Sequence, residues 1–172
     1  MAARSPFRIN VANILRHQDP RREIVEGDID DLFVTGSEVP PGSRIELEVD
    51  LVPVGPTIEV VGIVKAPWQG PCARCLRMAT GMLVGEVREV FEHPHEEGET
   101  YPLQHDEIDL EPLARETVVL ELPQAPLCRE GCLGLCTACG ADRNESTCSC
   151  EPPLDPRWSV LDELRTTDRE ES

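Results

Sequence analysis

Eight cysteines in four close pairs constrain this chain of 172 residues more than any other feature: Cys72 with Cys75, Cys128 with Cys132, Cys136 with Cys139, and Cys148 with Cys150. Two tetrahedral thiolate sites require eight sulfurs. Zinc is the favoured occupant, because deprotonated cysteine suits this borderline-soft cation and short spacings let one turn of backbone present two ligands. The sharper half of the pattern is Cys136-Thr137-Ala138-Cys139-Gly140, a knuckle whose glycine can take positive φ while backbone N–H groups turn toward the sulfurs. Asp142, Asn144 and Ser146 fill the short connection to Cys148 and Cys150 with turn-forming side chains. A closed zinc site is therefore expected from Cys136, Cys139, Cys148 and Cys150.

A second site is expected from Cys72, Cys75, Cys128 and Cys132, tying the middle of the chain to its later part. Its signal is weaker, since Leu76 rather than glycine follows Cys75 and reduced core thiols are common. Disulfides compete with metal, but the start MAARSPFRINVANILRHQDPRRE lacks the continuous apolar stretch of a signal peptide, so the expected location is cytoplasmic. A thioredoxin-like role for Cys72 and Cys75 would need a helix opening after the motif, whereas the flanks read as strands. An iron–sulfur cluster also takes four thiolates and stays open as an alternative.

Charge is the second constraint. The net charge of −17 gives a field that repels nucleic acid and anionic membranes, and two four-thiolate zinc sites would make it more negative. Distribution matters, however. Arg4, Arg8, Arg16, Arg21 and Arg22 face only Asp19 among the first 22 residues; they offer direct RNA contact through phosphate, against the blander reading of a solvated, partly mobile terminus, which is preferred. Residues 92–111 carry eight carboxylates and no lysine or arginine, the composition of an exposed acidic loop. Nothing approaches the roughly eighteen-residue apolar run of a membrane span.

Periodicity supplies the elements. Phe7, Ile9 and Val11 alternate with polar residues before a short helix to His17, and Ile45, Leu47, Val49 and Leu51 alternate with charged neighbours as in a half-buried strand. Pro53, Gly55 and Pro56 make a turn, so residues 43–65 should form a hairpin, with a further strand over residues 81–91. Leu110, Leu113, Ala114, Val118 and Leu122 share one helical face, against the β-branched run Thr117 to Val119, and Pro123 and Pro126 end that helix. Asp155 can cap a last helix bearing Trp158, Leu161 and Leu164, followed by a disordered tail over 166–172. The expected fold is α+β, mainly an antiparallel β meander or partly closed barrel with a few covering helices and a zinc-ribbon-like C-terminal segment. Residues 1–172 are expected to be a single domain, with 128–150 as its cysteine-rich subregion.

No Walker loop, GxSxG elbow or HExxH helix is present, and His93 and His95 read as solvated loop residues rather than ligands. All-cysteine zinc sites are closed and structural, which favours a binding protein over an enzyme and implies no small-molecule substrate. The six aromatics are too few and too core-like for a base-stacking platform.

PCARCL, the stretch ELPQAPLCREGCLGLCTACGADRNESTCSC and the closing DPRWSVLDEL resemble the bacterial YceD family, the large ribosomal RNA subunit accumulation proteins, over nearly the whole chain. The resemblance implies a role in accumulation, processing or stability of large-subunit ribosomal RNA, and it implies ligand roles for all eight cysteines. It carries over no catalytic residue. The expected partner is a large-subunit precursor or a basic ribosomal protein. Two other classes stay in view: a zinc-stabilised interaction or regulatory module unconnected with ribosomes, and a metal-dependent or thiol enzyme.

Overall fold

A computed structural model of the chain describes residues 5–151. Arg4, the proposed helix after Asp155 and the tail over 166–172 lie outside the described residues. The described residues divide into two units, one built from residues 5–73 together with Arg77–Cys128, the other from Arg74–Leu76 and residues 129–151.

The first unit is organised by alternation. In β3 (Ile45–Val54) the side chains of Ile45, Leu47, Val49 and Leu51 are almost fully excluded from solvent, while Glu46, Glu48 and Asp50 point the other way. A two-residue turn at Gly55 and Pro56 joins β3 to β4 (Thr57–Pro71). Gly55 takes φ +62°, the left-handed value that a primed hairpin turn needs at its first position. The strand β4 then pairs along its length with β5 (Met78–Glu92), register Ile58↔Phe91 to Pro71↔Met78. Outside this ribbon lie β2 (Arg21–Gly27), paired antiparallel with β3, and the two-residue β6 (Tyr101–Pro102), paired parallel with the end of β5. The five-stranded order is β2-β3-β4-β5-β6.

The expected meander and hairpin are therefore present, but the sheet is open. A barrel requires its first and last strands to meet in register. Here β6 is two residues long and runs parallel to β5, so it offers no ladder to β2. The apolar face is closed by a helix instead. In α2 (Glu111–Glu121), Leu113, Ala114 and Val118 are buried, Leu110 and Leu122 flank them, and Pro112 sits in the first turn, where its missing N–H costs nothing. Gly85 lets α2 approach β5 closely, since a Cβ there would lie 2.6 Å from the Thr117 methyl and 3.0 Å from Glu121 Cγ. Burial of Val118 and the Thr117 hydroxyl donating to the Leu113 carbonyl (2.8 Å) accommodate the β-branched run.

Two expectations about the charged segments are corrected. The arginine-rich start is not a loose terminus over its described part, although Arg8, Arg16 and Arg22 keep solvated side chains: Phe7, Ile9 and Val11 are buried and β1 (Arg8–Asn10) pairs antiparallel with β7 (Glu107–Asp109). After α1 (Ala12–His17), Arg21 and Arg22 lie in β2. Arg8 reaches Asp109 at 2.9 Å and Arg22 reaches Glu48 at 3.1 Å, and Arg21 lies against Glu23. Opposite charges across the ladders meet Arg8 and Arg22 at the surface, while Arg21 pairs along its own strand.

The segment 92–111 is likewise only partly loop. Leu103, Ile108 and Leu110 are buried within it, β6 and β7 interrupt it, and the Tyr101 ring stacks on Phe91 with centroids 5.1 Å apart. The carboxylates mask those apolar anchors in a composition count. Among the described residues no helix is long and apolar enough to cross a membrane.

Candidate metal centre

The two CxxC knuckles fold by the same local rule. The Cys72 N–H donates to the Arg77 carbonyl at 2.8 Å, and the Cys136 N–H donates to the Ala141 carbonyl at 2.8 Å, five residues on in each case. Such a reversal needs left-handed backbone just after the second cysteine. Gly140 supplies it at φ +73°, and Leu76 supplies it at φ +61° despite its side chain, which stays 66% exposed. The absence of glycine after Cys75 thus does not prevent the turn.

The second unit is assembled around Arg74, Gly134 and Asn144. The Arg74 carbonyl accepts from the Leu135 N–H at 3.0 Å, and its guanidinium donates to the Cys132 carbonyl at 2.9 Å. Gly134, at φ +74°, brings its backbone against Arg74, where a Cβ would lie 2.9 Å from the Arg74 carbonyl oxygen. Leu135 bridges Asp142, and the Arg143 N–H donates to the Gly134 carbonyl at 2.9 Å. Asp142 then turns the chain, its side chain accepting from the Asn144 N–H at 2.8 Å.

Asn144 does more than fill that turn. Its side-chain oxygen accepts from the Leu133 N–H (2.9 Å) and from Arg129 (2.7 Å), while its amide nitrogen lies 3.5 Å from the Cys132 sulfur. Sequence reasoning missed this orienting role, as it missed Arg74. The only signal was position: an asparagine between the last two cysteine pairs, and an arginine inside a CxxC.

The sulfurs of Cys136, Cys139, Cys148 and Cys150 all lie within 4.8 Å of one another, and so do those of Cys72, Cys75, Cys128 and Cys132. A tetrahedral ion with bonds of about 2.3 Å needs sulfurs about 3.8 Å apart, so both donor sets fit a thiolate-bound zinc. His93 and His95 belong to neither group.

Protonation in the later quartet is uneven. Backbone N–H groups of Cys139 and then Ala138 aimed at its sulfur hold the Cys136 thiol down to about 6. Hydrogen bonding to Cys136 pushes Cys148 up, and hydrogen bonding to Cys139 with the charge there pushes Cys150 up to about 12. Four sulfurs this close cannot all be anionic by themselves, and a bound divalent cation would take the place of the shared protons.

Comparison with known proteins follows the same residues. The family model described as "Large ribosomal RNA subunit accumulation protein YceD" matches residues 60–165, a span holding all eight cysteines. An uncharacterized protein of Mycobacterium tuberculosis is 35% identical over 130 residues, covering 72% of this chain and 63% of the relative. A second uncharacterized protein, from Mycobacterium leprae, is 31% identical over 134 residues, covering 74% and 62%. The "Large ribosomal RNA subunit accumulation protein YCED homolog 1, chloroplastic" of Arabidopsis thaliana is 26% identical over 163 residues, covering 74% and 50%. The chain thus spans less than two thirds of the length of these relatives. No solved structure matches it. With the family model covering well over half of the sequence, the chain belongs to the YceD family.

Proposed function

We propose that the protein is a non-catalytic factor supporting accumulation, processing or stability of large-subunit ribosomal RNA, and that zinc bound by its two cysteine quartets shapes a surface for a ribosomal partner. The observation that carries this reading is the family match over residues 60–165, together with the rRNA-accumulation name of the chloroplast relative. The donor chemistry supports the structural role of metal: four thiolates complete a tetrahedral shell, leaving no position for a substrate or an activated water. Residues 1–172 act as one functional domain in this reading, with the cysteine-rich part as its metal-organised end.

Charge supports the choice of partner. A net charge of −17 disfavours naked RNA, and three of the four described N-terminal arginines, Arg8, Arg21 and Arg22, already face carboxylates of their own chain, leaving Arg16 exposed at the end of α1. Contact therefore runs chiefly through a basic ribosomal protein on a large-subunit precursor, in the cytoplasm. The testing experiment is deletion of the gene, followed by sucrose-gradient profiles and precursor mapping. Reduced mature large-subunit RNA or accumulated precursors are expected; normal levels at both optimal and low growth temperature would overturn the reading.

A further inference from the structure

The strand β5 is bonded to β4 from Met78 to Phe91, but on its other side only Phe91 and Glu92 are paired, with Tyr101 and Pro102. Among the described residues, β5 from Met78 to Val90 has no strand along that edge. An open edge presents unpaired N–H and C=O groups as a template for another strand, and proteins ordinarily blunt it with charges. The opposite edge of the sheet follows that rule, since β2 reads Arg-Arg-Glu-Ile-Val-Glu-Gly. The first half of β5 does not: Met78, Met82 and Val84 project outward, 63%, 63% and 56% exposed. Pro71 and Pro67 of β4 stand opposite the two methionines and extend the apolar strip.

The surroundings of this edge select its occupant. Glu86 lies on the exposed face of β5. On the other face, Glu121 packs over Gly85, and Glu89 and Glu116 both act on the Tyr101 phenol, which donates to Glu116 at 2.5 Å. Carboxylates therefore flank the edge from both sides of the sheet. The one arginine of the strand, Arg88, is engaged by Glu59 at 2.9 Å. A second copy of this chain, pairing β5 against β5, would bring these carboxylates together and is disfavoured.

We infer that the open edge of β5 is a docking site for an extended cationic protein segment, which adds as a strand and lays alternate apolar side chains on Met82 and Val84. Main-chain hydrogen bonds would provide affinity, the apolar strip register, and the flanking carboxylates selection for lysine and arginine. This goes beyond the proposed function, because any basic extended segment fits the edge whatever process it belongs to.

The test uses the full-length protein and two synthetic peptides of roughly twelve residues, the span of the open edge, one alternating Lys and Val and the other alternating Glu and Val. Fluorescence anisotropy gives affinity, and amide hydrogen exchange locates the contact. The Lys-Val peptide is expected to bind, to weaken with salt, and to slow exchange across residues 78–90. The double variant Glu86→Lys/Glu121→Lys should bind it about tenfold less tightly, with the thermal midpoint checking that the fold is intact. Met82→Ser/Val84→Ser should also weaken binding while leaving its salt dependence in place. Equal binding of the Glu-Val peptide, unchanged exchange in β5, or undiminished affinity in the charge-reversed variant would overturn the inference. So would protection of β5 that grows with protein concentration alone, which would make a second copy the occupant. A failed peptide test leaves the rRNA reading standing, and a normal deletion strain leaves the docking site standing.

Discussion

Leu76 and Gly140 occupy the same place in two cysteine knuckles, each directly after the second cysteine and each left-handed, at φ +61° and +73°. Only Gly140 reaches that conformation without cost. For a residue bearing a Cβ the left-handed region is disfavoured by roughly 1–2 kcal/mol, partly offset in a comparison with glycine by glycine's greater freedom in the unfolded chain. Leu76 is largely exposed, so its side chain contributes little packing in return. Leu76→Gly should therefore stabilise the metal-loaded protein by about 1 kcal/mol. Gly140→Leu should cost a similar amount. Thermal denaturation of both variants at fixed zinc concentration checks the pair, and an unchanged midpoint for Leu76→Gly would count against the strain.

Asn144 supplies a second expectation. It accepts from Leu133 and Arg129 and offers its amide to the Cys132 sulfur. Groups that orient a metal ligand typically matter by about 10–100-fold in metal affinity. Asn144→Ala should weaken zinc binding within that range. Asn144→Asp, which keeps an acceptor but adds charge near a thiolate, should not restore it. Competition with a chromophoric chelator measures the affinity of each variant.

Legibility in the sequence followed physical period. Alternation in 45–51 and three-four spacing in 110–122 located β3 and α2, because each buries one face and repeats its pattern over several turns or pleats. The sulfurs of the eight cysteines come together in the two groups their spacing suggests. Strand β2 escaped notice because arginines and glutamates fill it, with Val25 its one buried large side chain. The open sheet was hidden for another reason. Closure depends on the length and direction of the last strand, and Tyr101-Pro102 gives no signal of joining β5 in parallel. Arg74 and Asn144 act through backbone carbonyls and a distant N–H, partners that no local pattern displays.

Lys65 gives the outer face of the sheet a pH dependence. Its ammonium reaches Glu46 at 2.8 Å and also bonds Glu48, and these carboxylates raise its pKa. The Glu48 pKa is lowered, first by the bond from Lys65. A lowered carboxylate pKa contributes stability above the unfolded value of 4.5 that is lost as pH falls through the folded value. A raised ammonium pKa contributes stability below 10.5 that is lost as pH rises through its folded value. Lys65→Met should therefore lower the thermal midpoint most between these limits and least at acid pH, where Glu48 is protonated. A difference from wild type that stays constant from pH 3 to 7 would refute this assignment.

Metal removal should proceed in order. Cys72, Cys75 and Cys132 are buried and Cys128 alone of their quartet is exposed, whereas no cysteine of the later quartet is buried and Cys139 and Cys150 are exposed, so a chelator or thiol reagent reaches the later quartet first. Native mass spectrometry of fresh protein should show two zinc ions, then one, then none. The first loss should release the turn structure around Asp142 and Asn144, since thiolate–zinc bonds are worth about 10–16 kcal/mol in small peptides and few buried apolar side chains replace them there. The sheet of β2 to β5 should persist, because Ile45, Leu47, Leu51 and Phe91 form a core that contains no sulfur ligand. Hydrogen exchange recorded through the titration separates the outcomes: early deprotection confined to residues 133–151 supports the order, and simultaneous loss of both ions with melting of β3 and β4 would overturn it.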